Sequence, residues 1–182
     1  MRLRISVTAI LLLISPLVHE VRSGEQLPDP IIVLERESDV FQVSPEYRLS
    51  IFDDGTVLFQ GKKHVKSQEP IRTKIDKEQL AKLLTAFERI NFYSLRDRYE
   101  RGNDGCGMMG TDQPYATIRL NVGGKKKSIV HSYGCWEEGE PHVVFPQALF
   151  KLEAMIDEVV NQSNGWSSPT SPPNKRLERT RR

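Results

Sequence analysis

The sequence predicts an α+β domain: one antiparallel sheet of four to five strands with two helices packed on one face. Three observations predict it, namely two β-hairpins, an amphipathic helix pattern after each hairpin, and a short apolar segment before the first one. Hairpins build antiparallel sheets, and a helix with one apolar stripe needs a sheet face to cover. The order of elements therefore favours one layer of strands and one layer of helices.

The strands are predicted from short apolar runs that flank tight turns. Segment 31–35 is the first candidate, and residues 47–59 form a hairpin around an Asp53-Asp54-Gly55 turn. A second hairpin spans residues 116–132 and turns at Gly123-Gly124. Asp-Gly and Gly-Gly are strong hairpin signals because these turns require positive φ angles. Three alternating residues of the first hairpin should share the core face: Tyr47, Leu49 and Ile51.

Each helix has a recognisable start. Asp76 can cap the first one, with Gln79 as the reciprocal partner of a capping box, and this helix should end near Asn91. Pro146 is well suited to open the second helix. The apolar stripes are Leu80, Leu83, Leu84 and Phe87 in the first helix, and Leu149, Leu152, Met155, Ile156 and Val159 in the second.

The N-terminus has the organisation of a secretory signal peptide over residues 1–23. A basic start precedes a mostly apolar run from Ile5 to Val18, which is too short to span a membrane and contains Pro16. There is no cysteine at the cleavage point before Gly24, so a lipid anchor is excluded there. We expect a secreted or periplasmic product without stable membrane insertion.

The mature chain is expected to comprise three parts: a leader at 24–30, one domain at 31–162 and a disordered basic tail at 163–182. The net charge of +2 is dominated by the two ends of the chain, because residues 24–173 alone carry a net charge of −4. An acidic domain is a poor binder of a phosphate backbone, so nucleic acid is not expected as a partner.

The two cysteines, Cys106 and Cys135, predict a disulfide, since the count is even and the chain is expected to be exported. The bond would join a long loop, residues 93–114, to the open end of the second hairpin. The alternative is a free thiol nucleophile at Cys135 assisted by His131, four residues earlier. On a strand these two side chains would lie about 13 Å apart, too far for a hydrogen bond.

The remaining motifs do not predict a cofactor or a metal site. The histidines His64, His131 and His142 have no helical i, i+4 partner, which favours isolated surface histidines over a zinc site. An irregular calcium site near Asp104 and Asp112 stays open as an alternative, although the spacing fails the EF-hand pattern.

A non-enzymatic binding or accessory domain of the cell envelope is the leading functional hypothesis, with another envelope protein as partner. The sheet face opposite the helices could present polar side chains, and the disulfide would gather two loops into a contact patch. The open face could hold Arg48, Ser50, Thr117, Arg119 and Asn121, and the patch comprises Met108, Met109, Asp112, Tyr115 and Trp136.

The alternative function is a hydrolase that uses acidic residues of the 93–114 and 133–142 loops. A deep pocket in which Asp112, Glu137 or His131 converge would favour that enzyme, whereas a flat surface would favour a binding module.

Several short motifs, in this order and spacing, resemble an uncharacterised family of exported bacterial proteins, domain of unknown function 6438. The resemblance spans about residues 31–160 and implies no catalytic residue, because the family has no known function. Many members have a Cys-x-x-x-Cys-Pro segment, where this chain has Val40 and Ser44-Pro45. The Cys106/Cys135 pair matches a subset of the family. The motifs are Glu35-Arg36, Ser44-Pro45-x-Tyr47, Asp54-Gly55-Thr56-Val57, Gly61-Lys62, Phe92-Tyr93-Ser94-Leu95, Tyr99, Gly105-Cys106-Gly107, Thr111-Asp112-x-Pro114, Gly134-Cys135 and Leu152-Glu153-x-x-Ile156-Asp157.

Overall fold

The computed structural model describes residues 28–38, 44–100 and 105–164. The predicted signal peptide, most of the leader and nearly all of the predicted tail lie outside these ranges, as do Val40 and Asp104. Side chains are described throughout these ranges except at 140–142 and 162–164.

The described residues contain ten strands, two α-helices and one 3₁₀ turn. The strands are β1 Ile32–Glu37, β2 Glu46–Ile51, β3 Thr56–Lys63, β4 Ile71–Lys74, β5 Arg98–Tyr99, β6 Met108–Met109, β7 Tyr115–Val122, β8 Lys125–Ser132, β9 Cys135–Glu137 and β10 Glu140–Val144. The helices are α1 Lys77–Arg89 and α2 Gln147–Asn164, and the 3₁₀ turn is Phe92–Ser94.

The main sheet has seven strands in the order β4-β3-β2-β1-β7-β8-β5. β1 lies at its centre and joins the two predicted hairpins, because it pairs antiparallel with both β2 and β7. The α+β class and the two helices are confirmed, but the sheet is larger than the four to five strands predicted. The two added strands are β4 and the two-residue β5, which pairs parallel with β8 and makes the sheet mixed.

One face of the sheet packs against the helices. Tyr47, Leu49 and Ile51 share this face, as the alternation predicts, and all three are fully buried. α1 contributes Leu83 and Phe87 to the same core. The core also includes Ile32, Leu34, Val57, Phe59, Ala116, Ile118, Leu120 and Ile129 from the main sheet, and Leu149, Leu152, Ile156, Val159 and Val160 from α2.

The predicted helix boundaries agree closely with the structure. Asp76 accepts a hydrogen bond from the Gln79 backbone N–H at 2.8 Å, and the Gln79 side chain accepts one from the Asp76 N–H at 2.9 Å. This reciprocal pair is the predicted capping box. Asn91 follows the C-cap of α1 and has a left-handed φ of 50°, which ends the helix. The second helix starts directly after Pro146.

The two segments predicted as long loops contain regular structure of their own. Segment 93–114 includes β5 and β6, and segment 133–142 includes β9 and the start of β10. β6, β9 and β10 form a second sheet in the order β10-β9-β6. The predicted disulfide between Cys106 and Cys135 is present, with Cα atoms 5.1 Å apart. It therefore fastens the chain two residues before β6 to the first residue of β9.

Candidate functional site

The small sheet brings part of the predicted contact patch together. Met108 of β6 pairs with Trp136 of β9 across the strands, and Met109 pairs with Cys135. The two methionines are 42% and 41% exposed, although their strand is fixed by the disulfide beside it. The Trp136 indole N–H donates to the Tyr133 carbonyl at 3.1 Å, so the ring is held in one orientation. We call Met108, Met109 and Trp136 the methionine corner.

The other two predicted patch residues lie beside this corner rather than in it. Asp112 is exposed and has a left-handed φ of 58° in the turn that follows β6. Tyr115 is half-buried and belongs to the main sheet, where it pairs with Glu37 and Ser132. The predicted patch therefore spans both sheets, with the methionine corner on the smaller one.

The acidic residues of the enzymatic alternative do not converge with His131. Glu137 and Glu138 line an open depression of about 620 Å³ whose other lining residues are Gly105, Cys106, Gly107 and Phe145. Neither Asp112 nor His131 lines this depression. His131 is in β8 and is fully buried, so the prediction that it lies on the surface is wrong. The position of His64 on the surface is as predicted, since this residue is exposed.

The burial of His131 is explained by its two hydrogen bonds. Nε2 lies 3.1 Å from the Phe145 carbonyl oxygen, which can only accept, so Nε2 carries a proton. Nδ1 lies 2.7 Å from Oε1 of Glu153, a carboxyl that is also fully buried. One further proton must lie between Nδ1 and Oε1, because two bare acceptors would repel each other. Whichever atom carries that proton, the pair of side chains is neutral.

An ion pair between Arg36 and Asp157 adjoins the His131–Glu153 pair. Arg36 Nη2 lies 2.6 Å from Oδ2 of Asp157, and Tyr47 OH donates to Oδ1 of the same carboxyl at 2.7 Å. Arg36 Nη1 lies 3.5 Å from Glu153 Oε2, which also accepts a 2.5 Å hydrogen bond from Tyr133 OH. These contacts join six side chains into what we call the buried ionic network: Arg36, Tyr47, His131, Tyr133, Glu153 and Asp157.

Asp157 is the member of the network whose charged form is least favoured. Burial raises the pKa of Asp157, and the hydrogen bonds from Arg36 and Tyr47 offset only part of that effect. The Arg36 guanidinium must serve two buried carboxyl groups, and the charge of Glu153 adds to the rise. The network connects β1, β2 and β8 to α2, so its clearest role is to fix that helix on the sheet.

Sequence reasoning missed this network, although a signal for it was present. Glu153 and Asp157 are four residues apart and next to Leu152 and Ile156, so they lie on the inward side of α2. Arg36 follows Ile32 and Leu34 at the spacing of two that marks one strand face. A carboxylate pair and an arginine at core positions indicate a paired buried charge.

A contrasting cluster lies on the sheet face that neither helix covers. Glu35 Oε1 lies 2.5 Å from Lys62 Nζ, while Glu35 Oε2 lies 3.5 Å from Arg119 Nη2 and 3.9 Å from Arg48 Nη1. Partial burial alone would raise the pKa of Glu35, but Lys62, Arg119 and Arg48 outweigh it and hold that pKa below its usual range. We call Glu35, Arg48, Lys62 and Arg119 the open-face cluster.

The predicted open-face residues take the expected side of their strands. Arg48, Thr117, Arg119 and Asn121 are each half-buried and alternate with core residues. Ser50 differs, because it is only 4% exposed, and Arg48 Nε lies 3.4 Å from its Oγ.

Metal binding needs closely grouped ligand side chains, and membrane crossing by a helix needs a long apolar one. Within residues 28–38, 44–100 and 105–164, no three His, Cys, Asp or Glu side chains are grouped closely enough to hold a metal ion. In the same ranges, no helix combines the length and apolar character needed to cross a membrane.

The fold and its sites define an α+β domain with a disulfide-closed corner, a buried ionic network and an uncovered polar sheet face. The model of the family described as "Domain of unknown function (DUF6438)" matches residues 34–160. The chain therefore belongs to this family. A search of the curated proteins finds no match.

Proposed function

We propose that the mature chain is an exported, non-enzymatic binding or accessory domain of the cell envelope, and that the methionine corner contacts its partner protein. The observation that carries the proposal is the exposure of Met108 beside its cross-strand partner Trp136, and of Met109 on the other side of the same strand, which the disulfide holds in place. Flexible thioether side chains adapt to the shape of an apolar partner, and aromatic residues and methionine are enriched in protein interfaces.

The surroundings of the corner support a preorganised contact surface. Gly110 donates its N–H to the Gly134 carbonyl at 2.7 Å, and Gly107 donates to the Trp136 carbonyl at 3.0 Å. A Cβ atom at Gly107 would lie 2.4 Å from the Glu138 Cα, so the two chain segments approach as closely as only glycine allows. A surface fixed in this way loses little conformational entropy when a partner binds.

Export is supported by the order of parts in residues 1–23 and by the disulfide, because such bonds persist in oxidising compartments. The hydrolase alternative has less support. Its histidine is committed to Glu153 and to the Phe145 carbonyl. Of its acidic residues, Glu137 lines an open depression rather than a closed pocket, and Asp112 does not line it.

The proposal is tested by site-specific photo-cross-linking in cells that export the full chain. A benzophenone side chain replaces Met109 in one variant and Met155 in the other, because Met155 is a comparably exposed methionine on α2. We expect a discrete adduct with an envelope protein at position 109 and no such adduct at position 155. Equal adducts at both positions, or none at position 109, would reject the methionine corner as the contact surface.

A further inference from the structure

We propose that the open-face cluster is a second docking surface, and that its partner is an extended protein segment rich in Asp and Glu. This surface lies on the main sheet and does not depend on the methionine corner. Three features of the cluster support this assignment: its excess of positive charge, the geometry of its two arginines, and its position across an open sheet face rather than in a cavity.

Charge is distributed unevenly over the domain. Residues 24–173 carry a net charge of −4, yet three cations converge on Glu35. Lys62 also lies 3.8 Å from Glu37, and Arg72 stands in the same outward row as Ser50 and Leu58. This face therefore carries positive charge on a domain that is otherwise acidic, which favours an approaching anionic segment.

The arginines are positioned near Glu35 without being saturated by it. Lys62 makes the 2.5 Å hydrogen bond to that carboxylate, whereas Arg119 and Arg48 lie at 3.5 and 3.9 Å, beyond an ordinary charge-assisted hydrogen bond. Their side chains are 42% and 35% exposed. A guanidinium group offers five N–H donors in a planar fork, and this geometry matches a carboxylate with two parallel hydrogen bonds.

The shape of the face favours an extended chain over a small anion. The two arginines are on β2 and β7, on either side of β1, and Lys62 is on β3, so the cluster crosses four neighbouring strands of a sheet rather than lining a cavity. Thr117 and Asn121 lie two residues before and after Arg119, on the same side of β7, and add hydrogen-bonding groups. Tyr115 is also on this side of the strand. Arginine and tyrosine next to polar hydrogen-bonding groups are typical of protein interfaces.

The negative net charge of the rest of the domain favours a protein segment over a long polyanion or an anionic membrane. A nucleic acid, a polyphosphate chain or a lipid surface would extend past the cluster and meet the acidic remainder of the domain. A segment with a few carboxylates spans only the cluster and avoids this repulsion.

The proposal is tested by fluorescence anisotropy with the full chain purified after export. The probe is a fluorescein-labelled decapeptide of alternating Glu and Ser, and its reference has Gln in place of Glu. Arg48→Gln combined with Arg119→Gln should weaken binding of the Glu peptide at least about tenfold, because each arginine supplies charge-assisted hydrogen bonds. Lys77→Gln combined with Lys82→Gln removes the same charge from exposed positions on α1 and should leave the affinity unchanged.

A second pair of substitutions keeps the charge and tests the fork geometry. Arg48→Lys combined with Arg119→Lys should weaken binding severalfold, since an ammonium group cannot make two parallel hydrogen bonds to one carboxylate. Three outcomes would overturn the proposal: equal losses in the arginine and α1 variants, full affinity in the lysine variant, or tighter binding to polyphosphate or phosphatidylglycerol vesicles than to the Glu peptide. Absence of any binding by the native chain would overturn it as well.

Discussion

Glu35 and Arg36 are neighbours on β1, but they point to opposite faces of the sheet, and the two faces hold charge in different ways. On the helix side, Arg36 lies 2.6 Å from Asp157, and Glu153 and Asp157 are at most 1% exposed. On the open side, Glu35 is surrounded by three cations, of which Lys62 and Arg119 are each 42% exposed. The same kinds of side chain thus form a sealed network and a hydrated cluster on one sheet.

The charges on the helix side stabilise the fold, whereas those on the open side are accessible to a partner. A buried charge that loses its partner keeps its full desolvation cost, so the buried ionic network is sensitive to every one of its members. An exposed pair is screened by water and salt, and each interaction there contributes about 1 kcal/mol or less. The open-face cluster can therefore exchange partners, whereas the buried ionic network cannot.

The largest effect is expected from Glu153→Gln, because Glu153 holds His131, Tyr133 and Arg36 at once. The substitution keeps the size of the side chain but replaces the carboxyl with a neutral amide, so the buried Arg36 guanidinium loses one of its two carboxyl neighbours. We expect the free energy of unfolding to fall by about 3–5 kcal/mol, measured by urea denaturation.

The matched control for this change is Glu88→Gln, which removes the same charge from an exposed position on α1. Its effect should stay within about 0.5 kcal/mol. Similar losses in both variants would mean that the buried ionic network has no special weight in the stability of the fold.

A smaller loss is expected from His131→Asn. Asparagine is shorter than histidine and cannot reach both Glu153 and the Phe145 carbonyl, so at least one buried polar group loses its partner. The expected cost is about 1–3 kcal/mol in the free energy of unfolding. The control is His64→Asn, at an exposed position whose left-handed φ of 54° suits asparagine. A loss at His64 as large as that at His131 would contradict the structural role assigned to the buried ring.

The two faces also differ in how far the sequence predicts them. The capping box at Asp76 and the hairpin face of Tyr47, Leu49 and Ile51 follow from local rules, namely turn chemistry and strand alternation. The outward positions of Arg48 and Arg119 follow from the same alternation. The disulfide follows from the cysteine count instead, since the chain has only two cysteines and each has a single candidate partner.

The buried ionic network is not local, and that is why sequence reasoning missed it. Arg36 and Asp157 are separated by 121 positions, and only the central place of β1 in the sheet brings them together. The two-residue strands β5 and β6 were missed for a related reason. Strands this short have no periodicity of their own and form because β8 and β9 offer them a template.

The smallest expected effect is on the pH dependence of stability, which should have opposite signs for the carboxyl groups on the two faces. Glu35 has a lowered pKa, so its contribution to stability is present above the usual glutamate pKa of about 4.3 and is lost as pH falls through the lower folded value. Asp157 has a raised pKa, so its contribution is present below about 3.9 and is lost as pH rises through the higher folded value.

Urea denaturation between about pH 2 and pH 7 should resolve these opposite signs. Glu35→Gln should cost up to about 1 kcal/mol near neutrality and should flatten the loss of stability on the acidic side, because the group that titrates there is gone. Asp157→Asn should instead flatten the decline that begins as pH rises above about 4. Variants that change the slope in the same direction would show that both carboxyl groups experience the same environment, and the contrast between the two faces would then fail.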